Sequence, residues 1–312
     1  MPISVKEMNV KADVDDSFVS CLCGILQSWG REVDYARVAG LSGIVFAPVL
    51  DTGEDCRAWW MEGGDDIQIA FLGEALGFTV EAVRVADTEQ DWANHSRWKD
   101  LPPARAAYLQ QLKAALENEK AVIVHTWPTW SVLNGWSEDL AKIPFETMPG
   151  IGDLVRRARD PSRTAMAYIL TPANPVLTEP IAVARALEFG KKVANGTIDN
   201  GRFCYGDTLY QAAADCLDRE PFCEPCGERS WSCAIRTLQR IAGHARSASA
   251  FLDGIGSTEA SKAYGAIASL AEQYRGRQLE GAWGDPIFRG QLKADFLKLG
   301  KMHRGAAVLL SQ

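Results

Sequence analysis

Two residue types in this chain can do covalent chemistry, and both sit in settings that invite it. Cys21 lies in the run SCLCGILQSWG, where Leu22, Ile25, Leu26 and Trp29 recur at helical spacing and Gly30 supplies a stop. That periodicity predicts a helix over about residues 20–29, with Asp15, Asp16 and Ser17 as capping side chains and Cys21 at its start. A helix N-terminus favours the thiolate, the reactive form of cysteine, and its free N–H groups can hold an oxyanion during acyl transfer. The competing reading is packing, since cysteine is among the most buried residue types. Cys23, two positions on, points to another side and reads as core. His125 ends the strand AVIVH and faces Trp130 across a turn at Pro128–Thr129. Cross-strand neighbours sit roughly 4.5–5.5 Å apart, so its imidazole is a candidate general base, with Glu138 or Asp139 as orienters. The competing reading is a satisfied core histidine in a Trp-rich hairpin. His95, His244 and His303 read as surface or packing residues.

A second group lies in the final third. Cys223-Glu-Pro-Cys226 with Cys233, and Cys204 and Cys216 upstream, has the spacing that turns two sulfurs toward one tetrahedral ion. A structural zinc is therefore a candidate ligand, set against a reversible disulfide or plain unligated thiols. The redox reading needs a thioredoxin-like strand–helix context that this segment lacks. No other cofactor is called for. Trp59, Trp60, Trp127, Trp130 and Trp136 form an aromatic set that could line a substrate cleft or fill a core. GLSG and GIGDL lack the setting of a phosphate loop, and Arg156, Arg157 and Arg159 read as a solvated face.

The elements that must position these groups fall into two parts. Residues 1–172 alternate helix and strand: helices at about 20–29, 34–39, 65–76 and 102–119, and strands at 78–85, 121–127, 130–136 and 165–172. After Pro172, with Pro175 and Pro180 marking a linker, residues 173–312 read as helices at about 179–195, 206–218, 230–252, 258–274 and 286–303. The expected fold class is α+β with a C-terminal α-helical domain. Of 312 residues, 47% are apolar, enough for a core, and a net charge of −7 argues against nucleic acid or an anionic membrane as partner. No apolar run reaches a membrane span, the N-terminus has no secretory h-region, and eight cysteines without an export signal read as reduced thiols. A cytoplasmic protein is expected.

Several stretches resemble one family. Cys21 and its apolar helix ending in Gly30, then DYARVAGLSGIVF at 34–46 and DDIQIAFLGEALGF at 65–78, are similar to bacterial papain-like proteins. The resemblance is to the bacteriocin-leader-processing peptidases and to the N-terminal domain of the butirosin biosynthesis protein H acyltransferase. VIVHTWPTWSVLNGWSED at 122–139 resembles the strand–turn–strand before that family's Gly-Tyr-Asp motif, and YGDTLYQAAADCLD at 205–218 and ARSASAFL at 245–252 resemble its attached helical domain. The resemblance implies a papain-like fold on which a helix-borne Cys, here Cys21, faces a His. The family's His position falls at about Thr129 or Trp130, its Gly-Tyr-Asp reads Gly135-Trp136-Ser137, and Asp15 and Asp16 stand where a Gln or Asn is expected.

The expectation drawn from residues and resemblance together is cysteine-dependent acyl transfer, or amide or thioester cleavage, on a small molecule or peptide in bacterial biosynthesis. Cys21 attacks, His125 moves the proton and Glu138 orients it. A carrier-protein-bound acyl donor is a candidate partner, and a homo-oligomer is open. The alternative is a catalytically inactive papain-fold protein that binds a small ligand or peptide between its two domains.

Overall fold

The computed structural model describes residues 16–46, 50–51, 66–84, 103–125, 130–133, 145–146, 166–195, 203–204, 206–217, 222–223, 228–274 and 285–311. In chain order these form helix α1 (Ser17–Ser28), helix α2 (Tyr35–Ser42), a 3-10 turn (Ile44–Phe46), strand β1 (Leu50–Asp51), helix α3 (Asp66–Leu76) and strand β2 (Phe78–Arg84). Helix α4 (Pro103–Glu117) and strands β3 (Ala121–His125), β4 (Trp130–Leu133), β5 (Phe145–Glu146) and β6 (Met166–Pro172) follow. The remainder is helix α5 (Glu179–Ala194), strand β7 (Phe203–Cys204), helix α6 (Gly206–Cys216), the short strands β8 (Phe222–Cys223) and β9 (Glu228–Arg229), and helices α7 (Ser230–Gly254), α8 (Thr258–Glu272) and α9 (Pro286–Leu309). The class is α+β, as the sequence pattern predicts. No described helix is long and apolar enough to cross a membrane.

The described residues cluster into two compact units: 16–34 with 66–178, and 35–51 with 179–311. Residues 35–51, read from sequence with the first domain, therefore join the helical unit. The physical reason is local packing. Phe46 sets its ring edge-on to Phe251 and Tyr264, 6.1 and 5.6 Å between centroids, and the Tyr264 hydroxyl donates to the Phe46 carbonyl at 2.9 Å. Gly40 lies so close to Phe251 that an added Cβ would fall 2.0 Å from the ring.

In the first unit a five-stranded sheet runs in the order β2-β6-β3-β4-β5, with every adjacent pair antiparallel. Side chains alternate across a sheet, and the register divides them. Val122, Val124, Leu133, Ala167 and Ile169 face Tyr108, Leu112 and Ala115 of α4. Ile123 pairs with Val132 and Tyr168, and His125 pairs with Trp130, on the opposite face. Helix α1 packs on that opposite face, against β3 and β4. Phe18 sets its ring edge-on to both Trp130 and Tyr168, at 5.3 and 5.9 Å. The sheet thus carries His125 on the side covered by α1.

Candidate functional site

The start of α1 decides what chemistry this face can support. Asp16 is the N-cap: its carboxylate accepts from the Val19 N–H at 3.0 Å and its carbonyl from the Ser20 N–H at 2.9 Å. The helix begins at Ser17, three residues before the start read from the apolar periodicity. Cys21 is consequently its fifth residue, beyond the first turn where free N–H groups and the macrodipole act. Its side chain is 0% exposed. The expected sulfur at the helix mouth is thus an enclosed sulfur in the second turn. Asp16, itself fully buried, places an acceptor over the N-terminus where an oxyanion would need donors.

Cys23 is also enclosed, and burial, with the Asp34 carboxylate adding to it, pushes its thiol up to about 11. Its Sγ lies 4.0 Å from the Val33 carbonyl. Neither Cys21 nor Cys23 is in a disulfide.

The side chain at the first helical position is Ser17. Its Oγ accepts from the Trp130 N–H at 2.9 Å, tying the helix mouth to the first residue of β4. The signal for it was in the sequence: an acidic N-cap at Asp16 makes residue 17 the first of the helix. His125 lies across the ladder from Trp130, with ring centroids 4.8 Å apart and planes tilted by 47°. Burial holds its pKa down to about 4, so the ring is neutral near pH 7. A neutral imidazole can accept a proton, but one this depressed is a weak base at that pH.

Trp130 stacks on Tyr168 at 5.5 Å and is only 5% exposed, which makes it a core residue. Trp59, Trp60, Trp127 and Trp136 of the aromatic set lie outside the described residues, as do Glu138 and Asp139. Of the cysteines read as zinc ligands, Cys226 lies outside them too. Cys223 is on β8, opposite Glu228, and Cys233 is the fourth residue of α7. Among the described residues no three His, Cys, Asp or Glu side chains converge on one point. The chain matches no protein-family model, and no curated protein is significantly similar to it.

Proposed function

We propose that this chain is a papain-like protein that binds a small ligand or peptide and does no thiol chemistry at Cys21. The enclosure of that sulfur in the second turn of α1 carries the reading. A nucleophile must meet its electrophile, and a side chain closed to solvent lacks that access, while its place past the first turn removes it from the free N–H groups of the helix mouth. The antiparallel sheet with a helix laid on the His125 face supports the papain-like assignment made from sequence. The test is alkylation of the native protein by iodoacetamide at pH 7.5, read residue by residue by mass spectrometry. Cys21 is expected to react far more slowly than in the urea-unfolded chain. Native labelling at the rate of a free thiol, slowed by His125→Ala, would restore the cysteine enzyme.

A further inference from the structure

His244 on α7 and His303 on α9 play no part in the site above, yet both are buried in the helical unit, at 3% and 2% exposure. Among the described residues neither nitrogen of His244 has a hydrogen-bond partner, nor has Nε2 of His303, and all three are closed to solvent. The Tyr210 hydroxyl of α6 bonds His303 Nδ1, and the two rings stack at 5.4 Å. Tyr264 of α8 sets its edge against the same imidazole at 5.7 Å, its own hydroxyl spent on the Phe46 carbonyl. Among the described residues the charged side chain acting on His244 is Arg240, one turn before it on α7, and it has the wrong sign to shelter an imidazolium. Asp295, two turns before His303 on α9, is committed to the Tyr274 hydroxyl and the Gln291 amide. No described carboxylate is in ion-pair contact with either ring.

We propose that His244 and His303 form an acid-triggered latch in the helical unit. Neutral, the rings let α6, α7, α8 and α9 close around them; on taking a proton, either ring must leave the core for water, and α7 and α9 open together. An unpaired charge in such a core is far costlier than a neutral ring, so proton uptake proceeds through opening. Burial pulls both rings down to about 3; Arg240 and His303 add to the effect at His244, and a hydrogen bond with the Leu299 backbone opposes it at His303. An exposed imidazole has its pKa near 6.5. Between those values the open form holds up to two more protons than the closed one. Closure is therefore complete above about pH 6.5 and is lost as the pH falls. With both rings the opening constant rises by up to about 100-fold per pH unit, and with one ring by up to about 10-fold.

Hydrogen exchange on the full chain between pH 7.5 and 5.0 tests this. Corrected for intrinsic rates, protection of amides in α7 and α9 should fall with a two-proton dependence. His244→Gln and His303→Gln should each leave a one-proton dependence, and the double variant should be flat. Should a variant fail to fold, imidazole nitrogen shifts of the unaltered protein give the second readout. Both rings are then expected to stay neutral in the closed form down to pH 5. Titration of both rings near 6.5 in the closed form, or protection independent of pH, would overturn the latch.

Discussion

Asp16 shows how one side chain sets the chemistry open to its neighbours. By accepting from Val19 and Ser20 it starts α1 at Ser17, and the same act puts Cys21 in the second turn. Asp16→Ala should cost about 0.5–2 kcal/mol of stability, the usual size of a lost N-cap, while Asp16→Ser should retain most of it. Urea unfolding of the two variants measures the difference, and equal midpoints for Asp16→Ala and the unaltered chain would remove the cap from the account. The sequence showed Asp15, Asp16 and Ser17 as capping residues, yet the apolar stripe drew the predicted start to residue 20. The buried stripe in fact runs back to Phe18 and Val19, but Ser17 and Ser20, polar and buried beside them, break the hydropathy pattern there. Hydropathy alone cannot see a buried serine that serves a backbone N–H, as Ser17 serves Trp130.

At the level of elements, periodicity located the described α-helices and the four longer strands β2, β3, β4 and β6 to within a few residues, and missed the two-residue strands β1, β5, β7, β8 and β9. Strand β2, read at 78–85, is Phe78–Arg84, and the helix read at 258–274 is Thr258–Glu272. The last helix runs six residues past the predicted 303, to Leu309, because Ala306 and Ala307 extend its buried side. The sheet order was not legible. Pairing of β6 between β2 and β3 joins segments over 40 residues apart, and no local signal encodes such a partner. Nor was the place of α2 legible, because its docking depends on what Gly40 lacks. Gly40→Ala would drive a methyl into the Phe251 ring, so overpacking should cost about 1–3 kcal/mol. Phe251→Leu in the same chain should return part of that loss, giving a non-additive double-mutant cycle in thermal unfolding. Strict additivity would show that the two residues do not meet.

Across the whole molecule, acid sensitivity follows from burying His244 and His303, and half-burying His125, with no acidic partner for them among the described residues. His125 in the sheet unit is held down to about 4 by burial, and His244 and His303 in the helical unit to about 3. Unfolded, each titrates near 6.5. Below that pH these three rings bind up to three more protons in the unfolded chain than in the native one, so stability present above about 6.5 is lost as the pH drops. Each such proton is worth about 1.4 kcal/mol per pH unit. Carboxylates with ordinary values near 4 enter only below this window. Summed over both units, urea unfolding should show stability falling steadily from pH 7 to pH 5. His125→Gln should remove the part belonging to the sheet unit, and adding His244→Gln and His303→Gln should level the rest. A stability that holds constant over those two pH units would mean the rings are hydrated in the native state, and with that the enclosure of the α1 face of the sheet would have to be redrawn.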